Sequence, residues 1–262
     1  MSLKVIILAA GQGTRMKSEL PKVMHRVCGL PMLEHVIRNT EIDNSEAVVV
    51  IGHKSDVIRD YFADSVEYAY QTEQLGTGHA VMMAIDHIAD DDEGLIVCGD
   101  TPLIEKEVLQ QMYDLKKQEN QAVIMTSYVN DPTGYGRIVK SEDRFIKIVE
   151  EKDSDEIQKR INEINAGTYI IDGKLLKQEL GNLSTDNSQN EYYLTDVLEN
   201  IAKNNNVATL AVDSESILGV NSRIQLAQAE TVMRKRINEA HMRNGVTLIN
   251  PDCTYIDKSV II

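Results

Sequence analysis

The segment Leu8-Ala9-Ala10-Gly11-Gln12-Gly13-Thr14-Arg15-Met16, followed by Pro21-Lys22, combines the residue types that handle phosphate. Glycines directly after an apolar run let backbone N–H groups approach phosphate oxygens where a side chain would block them. Arg15 adds a planar, forked cation and Lys22 a mobile point charge. The dinucleotide fingerprint is excluded because Met16 stands at the third glycine position, and a Walker loop because no Gly-Lys-Ser/Thr closes the segment. The same residues could form a plain strand-to-helix turn with two solvated cations. The run, the glycines, Arg15 and Pro21-Lys22 together favour the phosphate reading.

A second group, Gln71-Thr72-Glu73-Gln74-Leu75-Gly76-Thr77-Gly78-His79-Ala80, suits a neutral planar base, because amide side chains match its donor and acceptor edge. Its plainer reading is a glycine-rich helix entry, and His79 alone reads as a ring packed beneath that turn. In Leu95-Ile96-Val97-Cys98-Gly99-Asp100-Thr101-Pro102, a carboxylate follows a buried run, where it could bind Mg²⁺ together with substrate phosphates or form an Asx turn. Cys98 reads as a core thiol. Glu150 and Asn165 could bind sugar hydroxyls, and Asn221 could supply a second metal oxygen; taken singly, each reads as a turn residue. Six histidines and three cysteines lack any metal-ligand spacing, and no Gly-x-Ser-x-Gly elbow supports a serine hydrolase.

The elements that would position these groups follow from periodicity. Val5-Ile6-Ile7-Leu8-Ala9-Ala10 and the runs 47–51, 95–98 and 122–125 read as strands covered on both faces. Helical spacing lies between them at Met32-Leu33 with Val36-Ile37, at Ala80-Val81 with Ala84-Ile85 and Ile88, and at Val108-Leu109 with Met112 and Leu115. The alternation predicts a βαβ series with ligands at the carboxyl ends of the strands. Residues 137–140 and 145–149 read as a hairpin, 165–171 as a strand, 182–190 as a mobile polar loop, and 224–241 as a long helix stopping at Asn244-Gly245.

At 262 residues the chain holds one large domain or two small ones at ~150 residues each. The formal charge of −14 argues against nucleic-acid and membrane-surface partners. Cysteine usage fits buried thiols in a reducing cytoplasm, and no apolar run approaches the ~20 residues of a membrane span. The start has no signal-peptide form.

Gly11-Gln12-Gly13-Thr14-Arg15-Met16 with Pro21-Lys22 resembles the signature of sugar-nucleotide pyrophosphorylases. Gln71 through Ala80, Gly99-Asp100, Gly134-Tyr135-Gly136-Arg137, Asn165-Ala166-Gly167, Asn190-Glu191-Tyr192-Tyr193-Leu194-Thr195-Asp196 and Gly219-Val220-Asn221 sharpen the likeness. Together, over almost the whole chain, they resemble the uridyltransferase half of the bifunctional bacterial enzyme that makes UDP-N-acetylglucosamine. The resemblance implies an α/β, Rossmann-like nucleotidyltransferase domain over 1–223, with a mixed, mostly parallel sheet. A helical linker arm over 224–244 and a short stub of a left-handed β-helix over 245–262 would follow, the rest of the β-helix and its acetyltransferase site being absent.

By motif, the resemblance places Leu8, Ala9, Ala10, Gly11 and Gly13 at the nucleotide, and Arg15 and Lys22 as catalytic cations at the phosphates. Gln71, Gly76 and Thr77 would hold uracil. Cys98 and Gly99 would join the substrate-binding set, and Gly136, Glu150 and Asn165 would contact N-acetylglucosamine. Asp100 and Asn221 would ligate Mg²⁺. Gln12 departs from the basic or other polar residue of many members. The implied reaction joins UTP and N-acetylglucosamine-1-phosphate into UDP-N-acetylglucosamine and pyrophosphate, a cytoplasmic step toward peptidoglycan. A phosphate monoester loses its second proton near pH ~6, so the attacking oxygen needs no general base. The site must instead position two polyanions and offset their charge. Another UDP- or dTDP-sugar, and a regulatory domain that binds nucleotide without catalysis, are the alternatives; Arg15, Lys22, Asp100 and Asn221 argue against the second. The full-length family is a homotrimer, whereas a chain without the β-helix would be a monomer or weak oligomer.

Overall fold

Alternate side chains of the first apolar run pack on opposite faces of a sheet, as strand geometry requires. Ile6 joins one core layer while Val5 and Ile7 join the other. The computed structural model describes residues 2–43 and 45–262. The first half contains β1 (Leu3–Leu8), β2 (Arg26–Val27), β3 (Leu30–Pro31), α1 (Met32–Thr40), β4 (Glu46–Ile51), α2 (Ser55–Phe62), β5 (Glu67–Tyr70), α3 (Thr77–Met82), β6 (Glu93–Cys98) and α4 (Lys106–Lys116). The second half contains β7 (Ala122–Tyr128), β8 (Arg137–Ser141), β9 (Arg144–Val149), β10 (Glu163–Asp172), α5 (Gly173–Leu180), α6 (Leu194–Ala202), β11 (Val207–Ala211) and α7 (Arg223–Arg243).

The main sheet has the order β11-β7-β10-β6-β1-β4-β5, with the β8–β9 hairpin joined to it through β10. β1 runs parallel to β4 and β6, β4 to β5, and β7 to β11, while β10 is antiparallel to both β6 and β7. The mixed, mostly parallel sheet expected from sequence is therefore present. Its register aligns Leu8 with both Val50 and Cys98, and Ile51 with Tyr70. The carboxyl ends of β1, β4, β5 and β6 thus share one edge, and the chain leaves that edge directly into Ala9–Gly13, Gln71–Gly76 and Gly99-Asp100.

One face is covered through Ala80, Val81, Leu176, Val197 and Leu198, from α3, α5 and α6. Leu33, Val36, Ile58, Leu109 and Met112, from α1, α2 and α4, cover the other. A third cluster (Val27, Met32, Leu103, Val220, Ala229, Met233 and Ile237) docks α7 against the β2–β3 hairpin. The spacing of Ala229, Met233 and Ile237 keeps that contact on one stripe of the 21-residue helix. Ser222 caps its start by accepting a hydrogen bond from the Gln225 amide at 3.3 Å.

Beyond Asn244 no strand forms among the described residues; the segment holds a single 3-10 turn at Pro251–Cys253. The β-helix coil expected over 245–262 is not seen there. Here the segment instead lies along α7, where Asn238 Nδ2 donates to the carbonyls of Pro251 and Thr254, and the Lys258 amide donates to the Cys28 carbonyl. Ile249, Tyr255 and Ile261 remain exposed. The polar segment 182–190 is organised by Asn187, whose Oδ1 accepts from the amides of Gln189 and Glu191 while its Nδ2 donates to the Glu191 carbonyl. Among the described residues no helix is long and apolar enough to cross a membrane.

Candidate active site

The glycine loop sits where β1 ends, and its tight path depends on Gly13. With φ at +61°, a Cβ there would lie 2.6 Å from the Lys22 Cβ, so a side chain would push Lys22 out of the site. The Gly99 amide donates to the Leu8 carbonyl at 2.9 Å and keeps Asp100 beside this loop. The Val220 amide donates to the Asp100 carbonyl at 2.9 Å, which places Asn221 alongside. Lys22 forms an ion pair with Asp100 Oδ2 and donates to Asn221 Oδ1 at 2.9 Å. Both charged side chains are largely shielded, at 16% and 15% exposure, so the pair is less screened than one on the surface. Arg15, in the 3-10 turn Thr14–Met16, is exposed, makes no hydrogen bond or ion pair to other described residues, and is not among the residues lining the cleft described below.

The segment Gln71–Ala80 folds back on itself. Gln71 is 4% exposed, and its Nε2 donates to the Gly76 carbonyl and toward His79 Nδ1, each at 3.1 Å. Gly76 adopts φ +110°, and a Cβ there would meet the Tyr192 carbonyl oxygen at 2.6 Å. The Tyr192 amide donates to the Leu75 carbonyl, and the Gly78 amide to the Tyr192 carbonyl, both at 2.8 Å. Thr77 Oγ1 accepts from the Leu194 amide at 3.2 Å. These bonds clasp the segment against the loop that precedes α6.

A third group lies across β10. A register shift between Asn165 and Tyr169 frees Ala166-Gly167-Thr168 from the ladder. Asn165 Nδ2 donates to the Tyr169 hydroxyl at 2.7 Å, while its Oδ1 accepts from the Gly167 amide at 3.0 Å. Gly136 is close to both partners: a Cβ on it would lie 3.5 Å from Asn165 Cβ and 3.5 Å from Glu150 Oε1. Burial pushes the Glu150 carboxyl above its ordinary pKa, and Asp153 and Asp196 add to the rise, against a 3.4 Å hydrogen bond from Thr195 Oγ1. Asp100 also helps hold the Tyr135 hydroxyl above the ordinary tyrosine range, second to burial.

Leu8, Ala9, Ala10, Gly11, Lys22, Gln71, Gly76, Thr77, Cys98 and Asp100 line one cleft of about 260 Å³. Gly13 supports Lys22 from beneath, Gly99 is buried behind the loop, and Asn221 sits beside Lys22. Gly136, Glu150 and Asn165 form the separate group across β10. Cys98 is not the sealed core thiol that the apolar run suggests. It lines the cleft and donates toward the Gly167 carbonyl at 3.6 Å, beyond Ile96–Tyr169 where the pairing of β6 with β10 ends. Burial first, then the Asp100 charge, pushes this thiol up to about 12, so it stays protonated at neutral pH. His79 is half-buried and braces Gln71, in keeping with the packing role. Glu191 also lines the cleft without having been singled out for a role; its signal was its place in the Asn190–Asp196 motif.

The donor set can be tested against a metal. Asp100 Oδ2 and Asn221 Oδ1 converge on one cationic group, the Lys22 ammonium, so their oxygens already form a cation-binding pair. Two hard oxygen ligands suit Mg²⁺ when phosphates and water complete its shell. No group of three or more His, Cys, Asp or Glu residues among those described could hold a metal without such help. The residues therefore fit a metal that arrives with its phosphate ligand.

A family model described as the MobA-like NTP transferase domain matches residues 5–176. "Bifunctional protein GlmU" of Streptococcus uberis is 50% identical over 268 residues, covering 100% of this chain and 58% of that protein. The proteins of the same name from Caldanaerobacter subterraneus and Clostridioides difficile are 49% and 46% identical, with 97% and 100% of this chain covered and 57% and 58% of theirs. The chain thus spans a little over half the length of these relatives. A UDP-glucose pyrophosphorylase complexed with UDP-glucose superposes with a TM-score of 0.74 at 21% identity, covering 90% of this chain and 100% of that one. A putative glucose-1-phosphate thymidylyltransferase from Bacillus anthracis gives 0.70 at 18% identity, covering 95% and 98%. At these identities the two structures speak for the fold.

Proposed function

The chain belongs to the MobA-like NTP transferase domain family, and from that premise we propose that it transfers the uridylyl group of UTP to N-acetylglucosamine-1-phosphate. The products are UDP-N-acetylglucosamine and pyrophosphate. The observation that carries this reading is the meeting of Lys22, Asp100 and Asn221 beside a cleft lined by Gln71 and Gly76. In this reading, phosphate chemistry and base recognition would stand side by side. The choice of uridylyl and of the amino sugar comes from the family resemblance of the sequence motifs, with which the identity to the GlmU proteins agrees.

In the proposed reaction an anionic oxygen of the sugar phosphate attacks the α-phosphorus of UTP. The new P–O bond forms as the bond to the departing pyrophosphate breaks, without a covalent enzyme intermediate. Lys22 and Arg15 offset the charge that grows on the leaving group, and amides of the Gly11–Gly13 loop hold phosphate oxygens. Gln71, Gly76 and Thr77 hold the base, while Glu150, Gly136 and Asn165 shape the sugar side. Asp100 and Asn221 are the residues that would hold Mg²⁺, whose charge would lower the repulsion between the two polyanions. No residue is needed as a base, because the nucleophile arrives ionised. The reading places the protein in the cytoplasm, upstream of peptidoglycan, with neither nucleic acid nor membrane as partner. The direct test is Asp100→Ala: turnover should vanish with the circular dichroism spectrum retained, whereas full activity would sink the assignment of Asp100.

A further inference from the structure

Gln71 offers its amide to the cleft in one orientation, and neighbouring atoms fix which one. The Gly76 carbonyl can only accept a hydrogen bond, so the group 3.1 Å from it must be the Gln71 NH₂. The same nitrogen faces His79 Nδ1 at 3.1 Å, so Nδ1 must be the acceptor and the neutral ring must carry its proton on Nε2. Both hydrogens of Nε2 are then committed, and the amide oxygen is what Gln71 has left to present. The Tyr192 ring lies alongside His79, with centroids 6.4 Å apart and planes inclined by 28°. The turn at Gly76 and the first residues of α3 bring this ring back to a glutamine eight positions earlier.

We propose that His79 is a positioning residue for nucleobase selectivity: it locks the Gln71 amide with its oxygen toward the cleft, so that the site takes a pyrimidine bearing an N3–H and rejects one whose N3 is a bare acceptor. Uracil and thymine meet the first condition; cytosine meets the second and would set two acceptors against each other. Without the His79 acceptor, one of the two bonds that oppose rotation of the amide is lost, and the amide can turn its NH₂ toward cytosine. The inference rests on the reading of the protein as a uridylyl transferase and adds the device that reads the base.

The test measures pyrophosphate release with UTP, CTP and dTTP, each with N-acetylglucosamine-1-phosphate, for wild type, His79→Leu and His79→Asn. In His79→Leu the UTP-over-CTP ratio of kcat/KM should fall about tenfold, the discrimination attached to one buried hydrogen bond. The UTP-over-dTTP ratio should not move, because both bases carry the N3–H. His79→Asn, which can place an amide oxygen near the Nδ1 position, should restore the UTP-over-CTP ratio to within about threefold of wild type. A retained UTP-over-CTP ratio in His79→Leu, or an equal loss with all three nucleotides, overturns the proposal, since the latter marks a structural role alone. A wild type without preference for UTP over CTP overturns the uridylyl reading beneath it. Should His79→Leu fold poorly, ¹⁵N spectra of histidine-labelled wild-type protein decide: the Nε2–H tautomer at His79 supports the lock, and the Nδ1–H tautomer refutes it.

Discussion

Replacing Gly76 with alanine perturbs the clasp that shapes the side of the cleft proposed to hold the base. Gly76 has φ +110° and ψ 176°, a region essentially closed to residues with a Cβ. Holding alanine there costs about 1–3 kcal/mol. The new Cβ would also lie 2.6 Å from the Tyr192 carbonyl oxygen, 2.9 Å from the Tyr192 nitrogen and 2.9 Å from Glu191 Cβ. Two of these are backbone atoms, so the strand of chain before α6 must shift, which adds about 1–3 kcal/mol of overpacking. The sum, about 2–6 kcal/mol, compares with a typical total stability of about 5–15 kcal/mol. The variant should therefore fold but melt at clearly lower urea. The shift strains the Tyr192–Leu75 and Gly78–Tyr192 backbone bonds and moves the carbonyl that orients Gln71. Steady-state rates should show the KM for UTP raised about tenfold or more, with the KM for the sugar phosphate within about threefold of wild type. Gly134→Ala is the control, because its φ of +86° is also strained but a Cβ there meets nothing within 4 Å. It should lose only the strain and leave the UTP KM alone. An unchanged urea midpoint and UTP KM in Gly76→Ala would refute the reasoning.

Lys22→Met removes the cation shared by Asp100 and Asn221 and should lower kcat by about 10²–10³-fold while calorimetry still detects UTP binding; activity within tenfold of wild type contradicts its role. Glu150→Gln should trade function for stability. Because the folded-state pKa of Glu150 is raised, wild type loses stability as pH climbs from the ordinary carboxylate range through that higher value. The variant should therefore melt higher than wild type at pH 8, with each kcal/mol relieved worth about 2–4 °C. The gap should close near pH 4, and the KM for the sugar phosphate should rise; a gap that widens in acid contradicts the burial argument. Ellman's reagent at pH 8 should find Cys253 fast and Cys28 and Cys98 slow, since both of the latter are pushed up to about 12; a second fast thiol contradicts that ordering. Sedimentation should report a monomer or weak self-association, and a salt-resistant trimer would overturn that expectation.

The central strands β1, β4, β6 and β7 were legible because burial on both faces writes them as unbroken apolar runs. The edge strands were not. In β5 only Ala69 is buried, and Glu67 and Tyr70 face solvent, so its four residues carry no run to read. β11 lies at the opposite edge of the sheet with mostly half-buried side chains. Gly13, Lys22 and Asp100 could be singled out because each belongs to a local pattern. Their meeting could not, since Lys22 reaches partners 78 and 199 positions away. For a related reason the apolar run by itself reads Cys98 as core, and only the family resemblance puts it with the substrate-binding set. The end of a buried run looks the same whether the sheet continues past it or opens, and here the pairing with β10 stops two residues before Cys98. Glu191 enters the cleft only through the clasp between the Gly76 turn and the loop before α6, a contact that spacing does not encode.

The measurement that bears most directly on the account is pyrophosphate release from UTP with a panel of sugar-1-phosphates, run with and without Mg²⁺. The account predicts magnesium-dependent release with N-acetylglucosamine-1-phosphate and little with the glucose or galactose analogues. Release confined to a different sugar would contradict the proposed substrate, and UTP that binds without release of pyrophosphate under any of these conditions would contradict the catalytic reading itself.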